Sequence, residues 1–312
     1  MIKIKIKVGN SNMQLFHFCI MPQRHGVNLT KHLIMKKINI LLIALTLGAF
    51  TFYSCSTEEP VNQDEVSPEV LNMLSEAGYS TDGVIMSYDD NNNFLGYIVE
   101  NDLLITEDAL GNLQSFDPQT EQYSTNNLVT GLPRVITVYM PTGRNGYSSG
   151  EQAGLDEAIR RFNAENLQIT FQRTSNSTGA DITFQRLSKR DERRGVLGSA
   201  GFPTSGGDPF GTIRMSGILE SQFGLSTNGI ATIMAHEMGH CIGFRHTDFF
   251  DRSISCGGAP TNEGTAGVGA NHIPGTTTGA DLQGNGSWML ACTDGSNRPF
   301  TNDDVTALNF LY

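Results

Sequence analysis

Two histidines four residues apart, a glutamate directly after the first and a third histidine six residues beyond the second form the densest chemical group in this chain: His236, Glu237, His240 and His246. On a helix, His236 and His240 stand one turn apart and project from the same face. Imidazoles so placed suit a divalent metal, zinc above all, at about 2.0–2.1 Å from each nitrogen. Glu237 leaves the helix beside them, where it can act as general base on a water that the metal activates. Gly243 lets the chain turn sharply through a positive φ, so that His246 returns as third ligand. Three protein ligands leave one position open, which separates a catalytic site from a structural one. With average residue frequencies the two-histidine pattern arises by chance in roughly 1 in 100 chains of this length, the extended pattern in about 1 in 100,000. An accidental motif is therefore set aside.

A framework must hold these side chains, and the sequence around them indicates one. Val135-Ile136-Thr137-Val138-Tyr139 is β-branched and aromatic, which predicts a strand. Ser149 is expected to cap a helix over 150–165, with Leu155, Ile159 and Phe162 at helical spacing. Residues 167–171, 182–185 and 210–215 read as further extended segments. The helix carrying the histidines is expected over 227–242 and ends at Gly243. A last helix starts at Thr301, where Thr301 and Asp304 pair as a capping box ahead of Val305, Leu308 and Leu311. Residues 131–312 therefore read as one catalytic α+β domain. Residues 67–130, short apolar stretches broken by turn clusters such as Asp89 to Asn93, read as a separate proregion-like segment.

The N-terminal part reads as an address. Met35-Lys36-Lys37, an apolar run to Phe52 and Cys55 make a positive region, a hydrophobic region and a cysteine. The run is short for a membrane-crossing helix, which needs roughly 20 apolar residues. It resembles a bacterial lipoprotein signal over 35–54, with Cys55 as the lipidated first mature residue and 55–66 as a tether. Residues 1–34 fit neither part and read as a non-native upstream extension, with translation starting at Met35. The chain is thus expected to be exported and lipid-anchored to the outer membrane or cell surface, its only membrane contact being the anchor. In an oxidising compartment Cys256 and Cys292 can pair, closing a loop worth roughly 3–4 kcal/mol, whereas Cys241 on the histidine helix reads as a buried thiol. A net charge of −11 excludes a nucleic-acid binder, which needs a basic stripe. A monomer acting on protein or peptide is expected.

The run HEMGHCIGFRH matches the metzincin pattern HExxHxxGxxH, which a methionine turn follows downstream; Ser287-Trp288-Met289 is the candidate, with Met289 beneath the metal. Within the metzincins, HEMGHCIGFRHTD is similar to the signature of the dual-action HEIGH metallopeptidases of bacterial lipoproteins, with Met238 in place of isoleucine. The resemblance covers roughly 133–312. It implies a zincin fold: a twisted mixed sheet with a backing helix and an active-site helix above a cleft, then an irregular lower subdomain with a C-terminal helix. It implies one catalytic zinc and endopeptidase activity, with substrate held antiparallel on an edge strand, for which 210–215 is the candidate. Some metzincins carry a tyrosine two residues after the turn methionine; here that position is Ala291, which leaves transition-state stabilisation to the zinc. Asp248 is a candidate acceptor for a ligand imidazole.

Val99-Glu100-Asn101-Asp102-Leu103 resembles the propeptide motif FxGD of astacin-like metzincins, with Asp102 as the latency ligand. The alternative to an enzyme is a catalytically silent zinc-bearing adhesin or binding module, although such a protein has no need of Glu237.

Overall fold

The computed structural model describes residues 65–111, 113, 123–264, 268–277 and 279–312. The extension at 1–34, the signal at 35–54 and Cys55 lie outside these residues, and Asp64–Tyr312 cluster as one compact unit. No described helix is long and apolar enough to cross a membrane.

The unit begins with helix α1 (Pro68–Glu76), whose Ser67 cap accepts the Val70 N–H ahead of a proline at the first helical position. Strands β1 (Ile85–Tyr88), β2 (Phe94–Val99) and β3 (Leu103–Ile105) follow as an antiparallel sheet, and a single turn, α2 (Glu107–Leu110), closes the segment. The Asp89–Asn93 cluster forms the β1–β2 turn, where the Asp89 carboxylate accepts the N–H groups of Asn91 and Asn93. Leu74, Tyr97, Val99, Leu103 and Ile105 give this part its own apolar cluster.

After β4 (Tyr123–Ser124), the main sheet is built from β5 (Arg134–Tyr139), β6 (Ile169–Thr174), β7 (Ile182–Arg186), β8 (Gly198–Ser199) and β9 (Thr212–Met215). Its spatial order is β6-β5-β7-β9-β8; the first four are parallel, and β8 runs antiparallel at the edge. Helix α3 (Ser149–Ala164) lies between β5 and β6 in sequence, and a short α4 (Lys189–Arg193) between β7 and β8. Ser148, one residue before the expected Ser149, caps α3: its hydroxyl accepts the Glu151 N–H while the Glu151 carboxylate accepts its own N–H. Glu151, three residues after Ser148, completes the capping box. Leu155 and Phe162 of α3 are fully buried, each contributing about 1.5–3 kcal/mol through removal from water.

Helix α5 (Thr227–Cys241) packs against α3 so tightly that a Cβ on Gly154 would stand 2.5 Å from Ile230 Cγ2. Every residue from Gly229 to Cys241 is buried, so α5 is a core helix rather than an amphipathic one. The rest is largely irregular: α6 (Ser253–Cys256), β10 (Asn271–His272) paired with β4, and α7 (Asn302–Leu311) with its Thr301–Asp304 capping box. Cys256 and Cys292 are joined by a disulfide, and Cys241 is a buried free thiol.

The strand expected to form the sheet edge does not. Thr212–Met215 is flanked by β7 on one side and β8 on the other, so its backbone is already paired. The edge is Gly198–Ser199, a two-residue strand too short to show any periodicity in sequence.

Candidate metal centre

A helix buried on all sides normally carries no imidazole or carboxylate, yet α5 buries His236, Glu237 and His240 at its C-terminal end. The chain leaves it through Ile242 and Gly243, whose φ of 104° only glycine adopts readily. A Cβ there would also meet Leu128 Cδ2 at 2.8 Å. The Tyr312 hydroxyl donates to the Ile242 carbonyl, so the C-terminus of the chain helps hold the turn that returns His246.

All three imidazoles are oriented through Nδ1. That of His236 donates to the Trp288 carbonyl at 2.8 Å and that of His240 to the Phe244 carbonyl at 2.9 Å. That of His246 faces both carboxylate oxygens of Glu263, at 2.8 and 2.9 Å. With the proton on Nδ1, each ring turns its Nε2 lone pair inward. The Nε2 atoms lie 3.1 Å apart between His236 and His240, and 3.2 Å apart between His236 and His246. Ligands at 2.0–2.1 Å from a tetrahedral centre stand about 3.3 Å apart. Three lone pairs at this spacing repel one another unless a cation sits among them.

Asp102 supplies a fourth oxygen. Its Oδ2 lies 3.2 Å from His246 Nε2 and 3.6 Å from His236 Nε2, and the four donor atoms fall within 4.8 Å of one another. Both oxygens of Asp102 and both of Glu237 are buried without a hydrogen-bond partner. Buried unpaired carboxylates are costly, and these residues fit a divalent metal ion as the missing partner. Burial opposes the charge on Asp102, but the imidazoles of His246 and His236 outweigh it and hold the carboxyl well below its usual range. Burial also acts against a charged His246, yet Asp102 and Glu263 raise it well above the ordinary value. Burial and the two neighbouring imidazoles lower His240. Burial, then the charge on Asp102, pushes the Glu237 carboxyl well up.

Two close approaches depend on glycine. A Cβ on Gly198 in β8 would stand 2.3 Å from Glu237 Oε1, so the edge strand passes directly over that carboxylate. A Cβ on Gly239 would meet Trp288 Cη2 at 2.4 Å and Met289 Sδ at 2.7 Å. Met289 thus lies against the helix between the histidines. Its turn is locked by Ser287, which donates to Asp304 and accepts the Met289 N–H.

Asp102 arrives on the tip of the β2–β3 hairpin, residues 100–102, with Glu100 and Asn101 both at positive φ. The hairpin also uses the sheet edge: Asp102 C=O accepts the Ala200 N–H, and Leu104 N–H donates to Ala200 C=O, both at 2.9 Å.

Asp248 does not serve a ligand imidazole. Its carboxylate accepts the Ala291 N–H at 2.9 Å and the Ser255 hydroxyl at 2.5 Å, which ties the start of the lower region to the methionine turn. Glu263 takes the place expected for it. Glu263 is the single acid between 257 and 280, a faint signal, since nothing in that Gly/Thr-rich stretch fixes its position. Glu263 also holds Arg252 at 2.9 Å, and Arg245 reaches Glu100 at 3.5 Å; neither arginine was singled out by sequence.

The sequence profile described as dual-action HEIGH metallo-peptidase matches residues 97–312. No curated protein sequence matches the chain. Two solved structures of myroilysin are similar at 14% and 15% identity, with TM-scores of 0.34 and 0.33. The alignments cover 59% and 60% of this chain and 82% and 86% of those chains. With a profile match over more than half its length, beginning just ahead of the hairpin tip and spanning all three histidines, the chain belongs to the dual-action HEIGH metallopeptidase family.

Proposed function

We propose that this metallopeptidase is a zinc-dependent endopeptidase of the metzincin type, made in a latent form. The observation that carries this reading is the convergence of three Nε2 atoms whose Nδ1 partners are fixed, beside a buried, unpartnered Glu237. His236, His240 and His246 would hold the ion. When bound, zinc supplies a Lewis acid that polarises a peptide carbonyl and lowers the pKa of water toward about 7. Glu237 accepts the proton from the attacking water and passes it to the leaving amine. Burial favours proton uptake by Glu237, as the first transfer requires. The edge at 198–200, above Glu237, offers backbone N–H and C=O groups to an extended peptide.

Support for latency comes from Asp102, whose Oδ2 lies 3.2 Å from His246 Nε2 while its hairpin covers Ala200. Residues 123–130 are hydrogen-bonded to Gly243, Gly207 and Tyr312. We therefore put the activating cut between 113 and 123, ahead of these contacts. Export and lipidation at Cys55 complete the proposal, supported by the Cys256–Cys292 disulfide, which suits an oxidising compartment.

The test is Glu237→Gln: zinc content near one per chain with peptide hydrolysis lost by about 10²-fold or more. A variant that still cleaves removes Glu237 from this role. Bound zinc without cleavage by the wild type, before or after the cut, leaves a binding module.

A further inference from the structure

The hairpin tip delivers a second carboxylate, and the centre has no use for it. Glu100 is fully buried, and its Oε2 lies 3.5 Å from Arg245 Nη2. Its backbone is held at a φ of 51°, a conformation that costs a non-glycine residue about 1–2 kcal/mol. On the far side of the contact, Arg245 is also buried, with its guanidinium 5.8 Å from the ring centres of both Phe202 and Phe249. It donates to the carbonyls of Gly264 and Gly269 and lies 3.7 Å from Glu263.

Without the hairpin, this side of the contact holds two guanidiniums, Arg245 and Arg252, against one carboxylate, Glu263, which is already engaged by Arg252 and His246. The other acid nearby, Asp248, is taken up by Ser255 and the Ala291 N–H. Arginine does not discharge by losing a proton, so when the hairpin leaves, Arg245 keeps its charge, its carbonyl partners and its contact with Glu263. The place of Glu100 is then open to another acidic group. The space for it adjoins the metal centre, because Arg245 directly precedes His246 and Phe202 packs edge-on against His240 at 5.5 Å. A cavity of about 350 Å³ already opens beside the tip, with Ser80, Asp82 and Asn101 on one side and Arg252, Cys256 and Thr261 on the other.

We infer that Arg245, flanked by Phe202 and Phe249, forms a pocket that selects an acidic side chain adjoining the scissile bond, and that Glu100 is the built-in stand-in for that side chain. This rests on the peptidase reading above and narrows its substrates to peptides with Glu or Asp at the cleavage site. Arg245 is then the specificity-determining residue, its fork matched to a carboxylate.

The experiment uses the chain folded whole, with a recognition sequence for a specific protease placed between 113 and 123, then cut and assayed for zinc. Quenched fluorescent peptides are compared in pairs that carry Glu or Gln at each position flanking the cleaved bond. A site built around a buried ion pair rejects the uncharged isostere strongly. The expected kcat/KM ratio is about tenfold or more at one adjoining position, falling close to one in Arg245→Gln. Because that variant can lose its fold, a binding measurement on the wild type accompanies it. A synthetic peptide of residues 95–106 should bind the cut chain about tenfold more tightly than its Glu100→Gln form.

Equal turnover of every Glu and Gln pair, with equal binding of the two hairpin peptides, overturns the acidic pocket and leaves the peptidase intact. Zinc bound, no turnover, but a clear preference for the Glu100 peptide removes the peptidase and keeps an anion-selective pocket. Neither turnover nor preference removes both.

Discussion

At the scale of single residues, the centre is governed by what stands behind each imidazole. His236 and His240 lean on backbone carbonyls, which cannot be mutated away, whereas His246 leans on the Glu263 carboxylate. A carboxylate in that place fixes the ring and makes Nε2 a stronger donor. Glu263→Gln keeps the shape and removes the charge, so zinc affinity should fall by about 10-fold or more, read by competition with a chelator. Unchanged affinity would reduce Glu263 to a partner of Arg252. Asp304 makes a pH-dependent contribution. Burial pushes its carboxyl from 3.8 in the unfolded chain up to about 6, so its favourable contribution is complete below about pH 3.8 and is lost as pH rises through about 6. Between pH 4 and 7 the wild type should lose roughly 2 kcal/mol of unfolding free energy relative to Asp304→Asn. Chemical denaturation at several pH values measures this, and parallel curves would contradict it.

At the scale of elements, α5 and the methionine turn behave as one part, because Gly239 leaves room for Trp288 and Met289. Gly239→Ala adds a methyl group 2.4 Å from buried Trp288. Overpacking of this kind costs about 3 kcal/mol at its upper range and exceeds the gain of about 1 kcal/mol from better helix propensity. The variant should unfold at lower temperature by a net of about 2 kcal/mol, and a wild-type Tm would show that the turn yields. This contact also shows what the sequence could convey. The spacing of His236, His240, Gly243 and His246 is local, written on one helix and its exit turn, and was legible without any neighbour. The Thr301–Asp304 capping box and the strands around Ile136 and Ile182 were legible for the same reason, whereas the α3 cap was placed one residue late, on Ser149. β8 was not, since two residues carry no period, and without it the edge was assigned to Thr212–Met215. Glu263 escaped because its place beside His246 depends on a fold of loops that propensity does not encode.

At the scale of the whole molecule, there are two main apolar clusters, one built from residues 66–110 and one from the main sheet and its helices. Besides the hairpin tip on Ala200, Ile98 and Leu104 pack with Leu187 and Val196, and the Ser87 hydroxyl donates to Asp191. If Asp102 holds the ion closed, Asp102→Ala in the uncut chain should raise peptide hydrolysis by about tenfold or more, since a buried charged contact is worth about 2–5 kcal/mol. A variant as silent as the wild type would mean that Glu100 and the edge pairing are sufficient to block the cleft. That pairing has a direction. Leu103 runs parallel to Ala200, whereas the metzincin resemblance has substrate running antiparallel to the edge. A peptide lying backwards presents its amide where a substrate presents its carbonyl, so on the proposed mechanism its bonds would not line up with Glu237. In the proposed latent form the hairpin would therefore survive intact in the cleft, and its removal would fall to a cut elsewhere in the chain.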